Sequence, residues 1–163
     1  MIRQLDKKDL DAVASAHLHA WQTGFKNILS DNLLAALTKD EFLQAWRQTI
    51  RKSTRLNFVS TSDDRPVAFV SFGPSLDSQT NAEIYGIYVD PKHWGQGHGK
   101  QLIQKAIEEL SKNNFSTVLL WVMTKNNSAR QFYENFGFKN SSVTRTSERK
   151  NETFDECKYT LDL

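Results

Sequence analysis

The chain has 163 residues, of which 21 are basic and 19 acidic, so its formal net charge is only +2. That charge is too small to favour a nucleic-acid partner, and a single cysteine, Cys157, excludes an intrachain disulfide. No stretch approaches the ~18 apolar residues of a membrane span, and the N-terminus has no apolar segment typical of a signal peptide. We therefore expect one cytoplasmic domain over residues 1–163, with neither a nucleic-acid nor a membrane partner.

The first third of the chain is predicted to be mostly helical. After a short strand at residues 1–5, Asp6 and Asp9 cap a helix whose apolar residues recur at helical spacing. A second helix is expected to begin near Ser30, and the capping box of residues 38–41 begins a third. These helices precede the predicted sheet.

From residue 56 the apolar pattern changes to that of strands. We predict strands at residues 56–61, 67–72, 83–89, 117–123, 142–146 and 158–161, with a helix at residues 100–112. The first two strands form a hairpin and the last two form another. Because the run 117–123 is apolar and β-branched and follows a strand and a helix, it is typical of a buried parallel strand. Both strand orientations are thus expected.

Three glycines in five residues, Gly95, Gly97 and Gly99, separate the strand at residues 83–89 from the next helix. Glycines let the backbone approach an anion closely, and the first N–H groups of the helix point at the same place. A P-loop is excluded because Gln101 stands where a hydroxyl is required, and the glycine spacing differs from the dinucleotide fingerprint. The loop therefore predicts a phosphate or pyrophosphate site of another kind.

A second motif occupies residues 126–138, Asn-Asn-Ser-Ala-Arg-Gln-Phe-Tyr-Glu-Asn-Phe-Gly-Phe. It predicts a short helix capped by Asn127 or Ser128, with Gly137 free to adopt the left-handed conformation that ends helices. Both motifs follow predicted strand ends, where open α/β sheets bind their ligands.

Together the two motifs resemble those of the GCN5-related N-acetyltransferase (GNAT) family. Residues 94–99 match Gln/Arg-x-x-Gly-x-Gly/Ala except that Trp94 takes the first position, and residues 126–138 match Asn-x-x-Ala-x-x-x-Tyr-Glu-x-x-Gly-Phe. The resemblance implies the GNAT fold of the α/β (α+β) class, a mixed central sheet whose parallel strands 4 and 5 splay apart, flanked by helices. It also implies acetyl-CoA as co-substrate and no metal.

In function, the resemblance implies transfer of the acetyl group to a primary amine of a small molecule or peptide, by direct attack in a ternary complex. A non-catalytic acyl-CoA-binding or regulatory module of the same fold is the alternative, and a nucleotide-binding protein is a second. The protein would be a monomer or a homodimer. Nothing in the sequence distinguishes a ribosomal protein, an antibiotic, a polyamine or an amino acid as the acceptor.

The resemblance also implies which residues contact the cofactor. They are Ile87, Tyr88, Val89, Trp94, Gly95, Gln96, Gly97, His98, Gly99, Lys100, Asn126 and Tyr133. Main-chain groups of Ile87 and Val89 would bond the pantetheine arm, and a β-bulge at Gly86 would free them. The alternatives are a loosely packed strand glycine for Gly86 and a plain helix cap for Asn126.

Two catalytic residues follow from the same resemblance. Glu83 aligns with the general base, acting through a water, and Tyr133 with the acid that protonates the leaving thiolate. The N–H of Val89 would stabilise the oxyanion. The alternatives are a surface carboxylate for Glu83 and a core aromatic residue for Tyr133.

Candidate acceptor-binding residues are Trp21, Phe25 and Tyr85, with buried packing as the alternative for Trp21. Tyr85 and Tyr88 could also guide a proton out of the site. A metal site is not expected, because His17 and His19 cannot share a helix face and no cysteine or carboxylate cluster accompanies them.

Overall fold

The computed structural model describes residues 1–52, 54–76, 78 and 80–163, and it is built around one seven-stranded sheet. The strands are β1 (Ile2–Gln4), β2 (Leu56–Ser62), β3 (Arg65–Pro74), β4 (Asn81–Val89), β5 (Thr117–Met123), β6 (Lys139–Arg149) and β7 (Glu152–Asp162). Their order in the sheet is β1-β2-β3-β4-β5-β7-β6. Among the strands of the described residues, only β4 and β5 pair in parallel, so the mixed sheet predicted from the sequence is confirmed.

In the described part of the chain, five α-helices flank this sheet. They are α1 (Leu10–Gly24), α2 (Asp31–Ala36), α3 (Lys39–Thr49), α4 (His98–Ser111) and α5 (Asn127–Glu134). Two 3₁₀ turns, Lys7–Asp9 and Pro91–His93, precede α1 and follow β4. Among the described residues, no helix is both long and apolar enough to cross a membrane.

The predicted helix starts are mostly confirmed by their capping hydrogen bonds. Asp6 and Asp9 form a capping box, as do Thr38 and Glu41, and the Ser30 side chain accepts from Leu33 N–H at the start of α2. Each side chain satisfies N–H groups that have no acceptor within the helix. These caps are local, which is why the sequence alone located them.

Two predicted helix starts need correction. Helix α4 begins at His98 rather than at residue 100, because Gly97 is its N-cap with a left-handed φ of +85°. The cap of α5 is Asn126, whose Oδ1 accepts from Ala129 N–H at 3.2 Å, and not Asn127 or Ser128. In both motifs the helix begins one or two residues earlier than its apolar pattern suggested.

The C-terminal hairpin is longer than predicted. Strands β6 and β7 have eleven residues each and pair through a turn at Lys150 and Asn151, both with positive φ. Such a pair is typical of a type I′ turn, whose twist matches the flanking strands. Most of β6 is polar and exposed, so it lacks the apolar alternation that marks a half-buried strand.

Apolar side chains fill both faces of the sheet. On one face α4 and α5 pack against β3, β4 and β5, and Leu102, Ile103 and Ala106 are fully buried there. On the other face α1, α2 and α3 pack around Phe42 and Trp46. Because side chains alternate along a strand, the neighbours Phe69 and Val70 belong to opposite cores.

The parallel strands β4 and β5 separate after a short paired region. Their ladder covers only Asn81–Glu83 opposite Thr117–Leu119, although β4 continues to Val89 and β5 to Met123. The splay predicted for these strands is therefore confirmed.

The predicted bulge in β4 is confirmed as well. Ser71 pairs with Gly86 and Phe72 with Ile84, so Tyr85 is an extra residue in β4. A Cβ built on Gly86 would lie 3.1 Å from the ring of Tyr88, tighter than ordinary side-chain packing. Glycine at this position thus lets the bulged strand keep the Tyr88 ring close to its own backbone.

Candidate active site

The separation of β4 and β5 opens a cleft of about 660 Å³. The predicted site residues that line it are Trp21, Phe25, Tyr85, Ile87, Tyr88, Val89, Trp94, Gly99, Asn126 and Tyr133. The other predicted loop residues, Gly95, Gln96, Gly97, His98 and Lys100, belong to the adjoining loop and the first turn of α4 and do not line the cleft. One predicted catalytic residue, Glu83, is also absent from the lining.

The glycine loop beside the cleft has the geometry of an anion site. Gly95 and Gly97 have φ values of +74° and +85°, which side-chain-bearing residues adopt only with strain. The first N–H groups of the 14-residue α4 follow directly and have no acceptor within the helix. Together with the positive end of the helix dipole, these donors fit a phosphate or pyrophosphate group.

The cleft edge of β4 presents main-chain groups that are not needed by the sheet. Asp90 N–H donates to Val67 O of β3 at 2.8 Å, so the N–H and C=O of Tyr88 point toward β3 too. By the same alternation the main-chain groups of Ile87 and Val89 point into the cleft. The arm of an extended ligand could therefore bond there as an added strand would.

Trp94 stands where the family pattern has Gln or Arg, and its side chain makes a hydrogen bond within the chain. Its indole Nε1 donates to Val89 O at 2.9 Å, while half of the residue's surface stays exposed. The Val89 carbonyl is thus occupied within the chain, whereas the Val89 N–H still points toward the cleft.

Polar contacts hold both ends of the loop. Asp90 accepts from Lys92 N–H, and its Oδ2 lies 3.0 Å from His19 Nδ1 of α1. Burial tends to raise the pKa of Asp90, but these two contacts outweigh it and the net pKa is lowered. At the other end, His98 Nδ1 lies 2.8 Å from Ser60 Oγ of β2.

Tyr133 is nearly buried in the wall of the cleft formed by α5. Its ring packs edge-on against Phe132 and Phe138, with centroids 5.3 and 5.9 Å away. Burial raises the pKa of Tyr133, and the charge of Tyr88 would raise it further. The phenol therefore keeps its proton at neutral pH and is suited to donate a hydrogen bond. It is a core aromatic and a cleft residue at once.

Tyr88 of β4 also lines the cleft. Burial raises the pKa of Tyr88 to about 12, and the negative charge of Glu156 also raises it. Its ring packs against His17 of α1 at a centroid distance of 4.5 Å. Tyr88 thus presents a neutral phenol to the cleft.

Glu83 lies in the part of β4 that is still paired on both sides, opposite Gly73 and Leu119. The cleft-lining part of β4 begins at the next residue, Ile84, whose side chain lies on the other face of the strand from that of Glu83. Burial raises the pKa of Tyr85, and the nearby charge of Glu83 raises it further. Glu83 is therefore close to Tyr85 but does not reach the cleft itself.

Tyr85 is held by two contacts at the edge of the cleft. Its hydroxyl donates to the Pro74 carbonyl, and the Arg55 guanidinium lies 3.8 Å from the centre of its ring. It lines both the main cleft and a smaller cavity of about 240 Å³ between α1, α3 and the sheet. Tyr85 is therefore part of the wall of both the cleft and the smaller cavity.

The smaller cavity also contains His17, which is enclosed by aromatic side chains. His17 Nδ1 accepts from Trp46 Nε1 at 3.2 Å, and the rings of Phe42, Phe69 and Tyr88 lie within 5 Å between centroids. Burial lowers the pKa of His17 to about 3, and the charge of Arg149 adds to this effect. The imidazole is neutral at physiological pH.

The sequence reasoning missed the residues that the C-terminal hairpin contributes to the cleft. They are Arg145 and Ser147 of β6 with Phe154 and Glu156 of β7, and Trp121 of β5 lies beside them. The hairpin reaches the cleft because all seven residues of β5 pair with β7, up to Met123 opposite Glu156. The only available signal was the predicted late hairpin, whose strands were too short to include Glu156.

Within the part of the chain that the structure describes, no group of three or more His, Cys, Asp or Glu residues is arranged to hold a metal ion.

Comparison with known proteins agrees with this geometry. The sequence model of the acetyltransferase (GNAT) family matches residues 18–138. An uncharacterized N-acetyltransferase of Bacillus subtilis, YuaI, is 30% identical over 128 residues, which cover 77% of this chain and 72% of the relative.

Solved structures share the whole fold. The PaiA N-acetyltransferase of Thermoplasma acidophilum, crystallised with coenzyme A, has a TM-score of 0.75 at 20% identity, covering 98% of each chain. The ribosomal-protein-S18-alanine N-acetyltransferase of Escherichia coli has a TM-score of 0.71 at 25% identity, covering 99% of this chain and 92% of that one. The chain therefore belongs to the acetyltransferase (GNAT) family and is an acyl-CoA-dependent N-acetyltransferase.

Proposed function

We propose that this protein transfers the acetyl group of acetyl-CoA to a primary amine of a small molecule or peptide, by direct attack in a ternary complex. The observation that carries the proposal is the cleft between β4 and β5, with an anion-binding loop at one side and a protonated tyrosine in its wall. A relative of the same fold was crystallised with coenzyme A, which supports the choice of cofactor.

The loop and the start of α4 would hold the pyrophosphate through main-chain N–H groups. The backbone of Ile87 and Val89 would bond the pantetheine arm, because their main-chain groups face away from β3. Acetyl-CoA would supply an electrophilic thioester carbonyl and a thiolate leaving group with a parent pKa of ~8.5. Val89 N–H would stabilise the negative charge on the carbonyl oxygen during attack.

Tyr133 would donate its proton, or a hydrogen bond, to the departing thiolate. Its raised pKa keeps the phenol protonated while the cofactor binds, which supports donation of a hydrogen bond to the thiolate more than full transfer of the proton. Its position in the wall of the cleft, next to the buried Phe138, excludes bulk water on that side.

The acceptor amine must lose a proton before it attacks, since a free alkylamine titrates near ~10.4. We propose that Glu83 accepts this proton through water, with Tyr85 beside the route. The proximity of Glu83 to Tyr85 supports this path, and the absence of Glu83 from the cleft lining means that a direct contact with the amine is not proposed.

The function is tested by two measurements on the purified protein. Thermal unfolding would be followed with acetyl-CoA, CoA, ATP and NAD, and a ligand that binds the folded state raises the melting temperature. Thiol release from acetyl-CoA would then be measured with a panel of amines. We expect stabilisation by acetyl-CoA and CoA, and thiol release that depends on an amine.

Stabilisation by ATP without stabilisation by acetyl-CoA would overturn the proposal. Stabilisation by acetyl-CoA without transfer to any amine would instead identify a non-catalytic acyl-CoA-binding module.

A further inference from the structure

The charged side chains in the cleft are few. Of the described residues that line it, only Arg145 and Glu156 carry a formal charge at neutral pH. Most of the remaining lining is aromatic, aliphatic or glycine, including Trp21, Phe25 and Phe154. A single recessed carboxylate in such surroundings is costly unless it has polar partners, so the contacts of Glu156 indicate what it does.

The two oxygens of Glu156 differ in their contacts. Oε2 accepts from Arg145 Nε at 2.7 Å and from Ser147 Oγ at 2.7 Å. Oε1 accepts no hydrogen bond from the side chains or backbone of the described residues. The side chain is only 14% exposed, so Oε1 is held in place with room for one more donor.

Arg145 is itself fixed on its other side. Its guanidinium stacks over the ring of Trp121, 4.2 Å from the ring centre. Cation–π contact and the ion pair together hold Arg145 against the wall, so it orients Glu156 and leaves Oε1 available.

We propose that Glu156 binds the protonated amine of the acceptor through Oε1, and that the acceptor is an alkylamine that is positively charged at neutral pH rather than an arylamine. The inference rests on the proposed function, because it names the substrate class of the same cleft. An ammonium group attracted to a carboxylate between aromatic walls gains a charge-assisted hydrogen bond and cation–π contacts.

The experiment compares benzylamine, which is protonated at neutral pH, with aniline, which is similar in shape and neutral. 1,4-Diaminobutane and an alanyl tripeptide amide would distinguish a small-molecule acceptor from a peptide N-terminus. For the wild-type protein we expect acetylation of the charged amines and not of aniline. For Glu156→Gln we expect the KM for the amine to rise about 10- to 100-fold, with the KM for acetyl-CoA unchanged.

Two variants serve as comparisons. Glu109→Gln removes a carboxylate that pairs with Lys105 and Lys112 on the outer surface of α4, and its kinetics should match the wild type. Arg145→Gln tests whether Glu156 acts on the amine itself or only through its ion pair with Arg145. Because Arg145→Gln keeps the Glu156 carboxylate, we expect it to raise the KM for the amine less than Glu156→Gln does. An equal rise in both variants would mean that Glu156 only holds Arg145 in place, and it would overturn the proposal.

A second readout separates this inference from the proposed function. Binding of benzylamine to the protein saturated with CoA would be measured by calorimetry, where no acetyl transfer can occur. Glu156-dependent binding without acetylation of any amine would reject the proposed function and retain the ammonium site. No binding of charged amines to the wild-type protein, or equal binding to Glu156→Gln, would overturn the inference.

Discussion

The proposed cofactor side and the proposed acceptor side of the cleft offer different kinds of groups to their ligands. On the cofactor side the donors belong to the backbone of β4, the glycine loop and the start of α4, within residues 81–111. On the acceptor side they are side chains from α1, β6 and β7, separated by more than a hundred residues, such as Trp21, Arg145 and Glu156. A backbone site requires glycines at fixed spacing, whereas a side-chain site requires only that distant elements meet.

The two sides also differ in their tolerance to substitution. Backbone donors do not depend on side-chain identity except where a glycine conformation is needed, as at Gly95 and Gly97. Side-chain contacts on the acceptor side disappear with a single substitution. We therefore expect cofactor binding to respond to changes in backbone conformation and acceptor binding to changes in individual polar groups.

The largest expected effect concerns Tyr133, which lies between the two sides. Tyr133→Phe should lower turnover about 10²-fold or more, because the leaving thiolate loses its proton donor, while acetyl-CoA affinity stays near normal. Turnover and calorimetric affinity would be measured together.

A control for this variant is Tyr159→Phe. The Tyr159 hydroxyl donates to Glu134 Oε1 at 2.7 Å and does not line the cleft, so turnover should be unaffected. An unchanged rate in Tyr133→Phe would remove Tyr133 from the mechanism.

On the cofactor side, Gly97→Val should raise the dissociation constant for acetyl-CoA ~10-fold, because a left-handed φ costs a side-chain-bearing residue ~1–2 kcal/mol and β-branching adds to it. Gly97→Asn should lose less affinity for acetyl-CoA, since asparagine tolerates the left-handed conformation. Both dissociation constants would be measured by calorimetry. Equal affinities for the two variants would show that the backbone conformation of the loop does not govern binding.

On the acceptor side, we expect the buried His17 to make the free energy of unfolding depend on pH. The folded state keeps His17 neutral down to about pH 3, whereas the unfolded chain takes up a proton below ~6.5, so the unfolded state binds more protons in that window. Stability is therefore fully present above pH 6.5 and falls as the pH decreases. Burial also lowers the pKa of His98, which acts in the same direction.

The expected slope between pH 6 and 5 is about 1 kcal/mol per unit, below the full ~1.4 because the histidine of the unfolded chain is not yet fully protonated at pH 6. Urea unfolding at pH 8, 7, 6 and 5 would measure it. His17→Gln should flatten the profile in this range, and an unaltered slope in that variant would exclude His17 as its source.

The smallest expected effect concerns Trp94. Trp94→Phe removes the hydrogen bond to Val89 O, but it also frees that carbonyl on the cleft edge, so acetyl-CoA affinity should change less than about threefold. Calorimetry with acetyl-CoA measures the change. A loss above tenfold would mean that the indole holds the strand edge in its binding conformation.

Most of the fold could be predicted because its signals are local. The caps at Asp6 and Thr38, the left-handed Gly137 and the strand 117–123 are each specified by a few neighbouring residues. The bulge at Gly86 followed from the family resemblance and not from periodicity, because one extra residue leaves little trace in an apolar pattern.

The sequence by itself determined the geometry of the proposed cofactor side, since a glycine loop, a strand end and a helix start are continuous in the chain and their conformation is set by backbone sterics. Only the tertiary structure decided the rest. The distance of Glu83 from the cleft depends on where β4 and β5 part, and the approach of Glu156 depends on the register of β7 against β5. Both are long-range pairings, and no local propensity encodes how far two strands remain together before they separate.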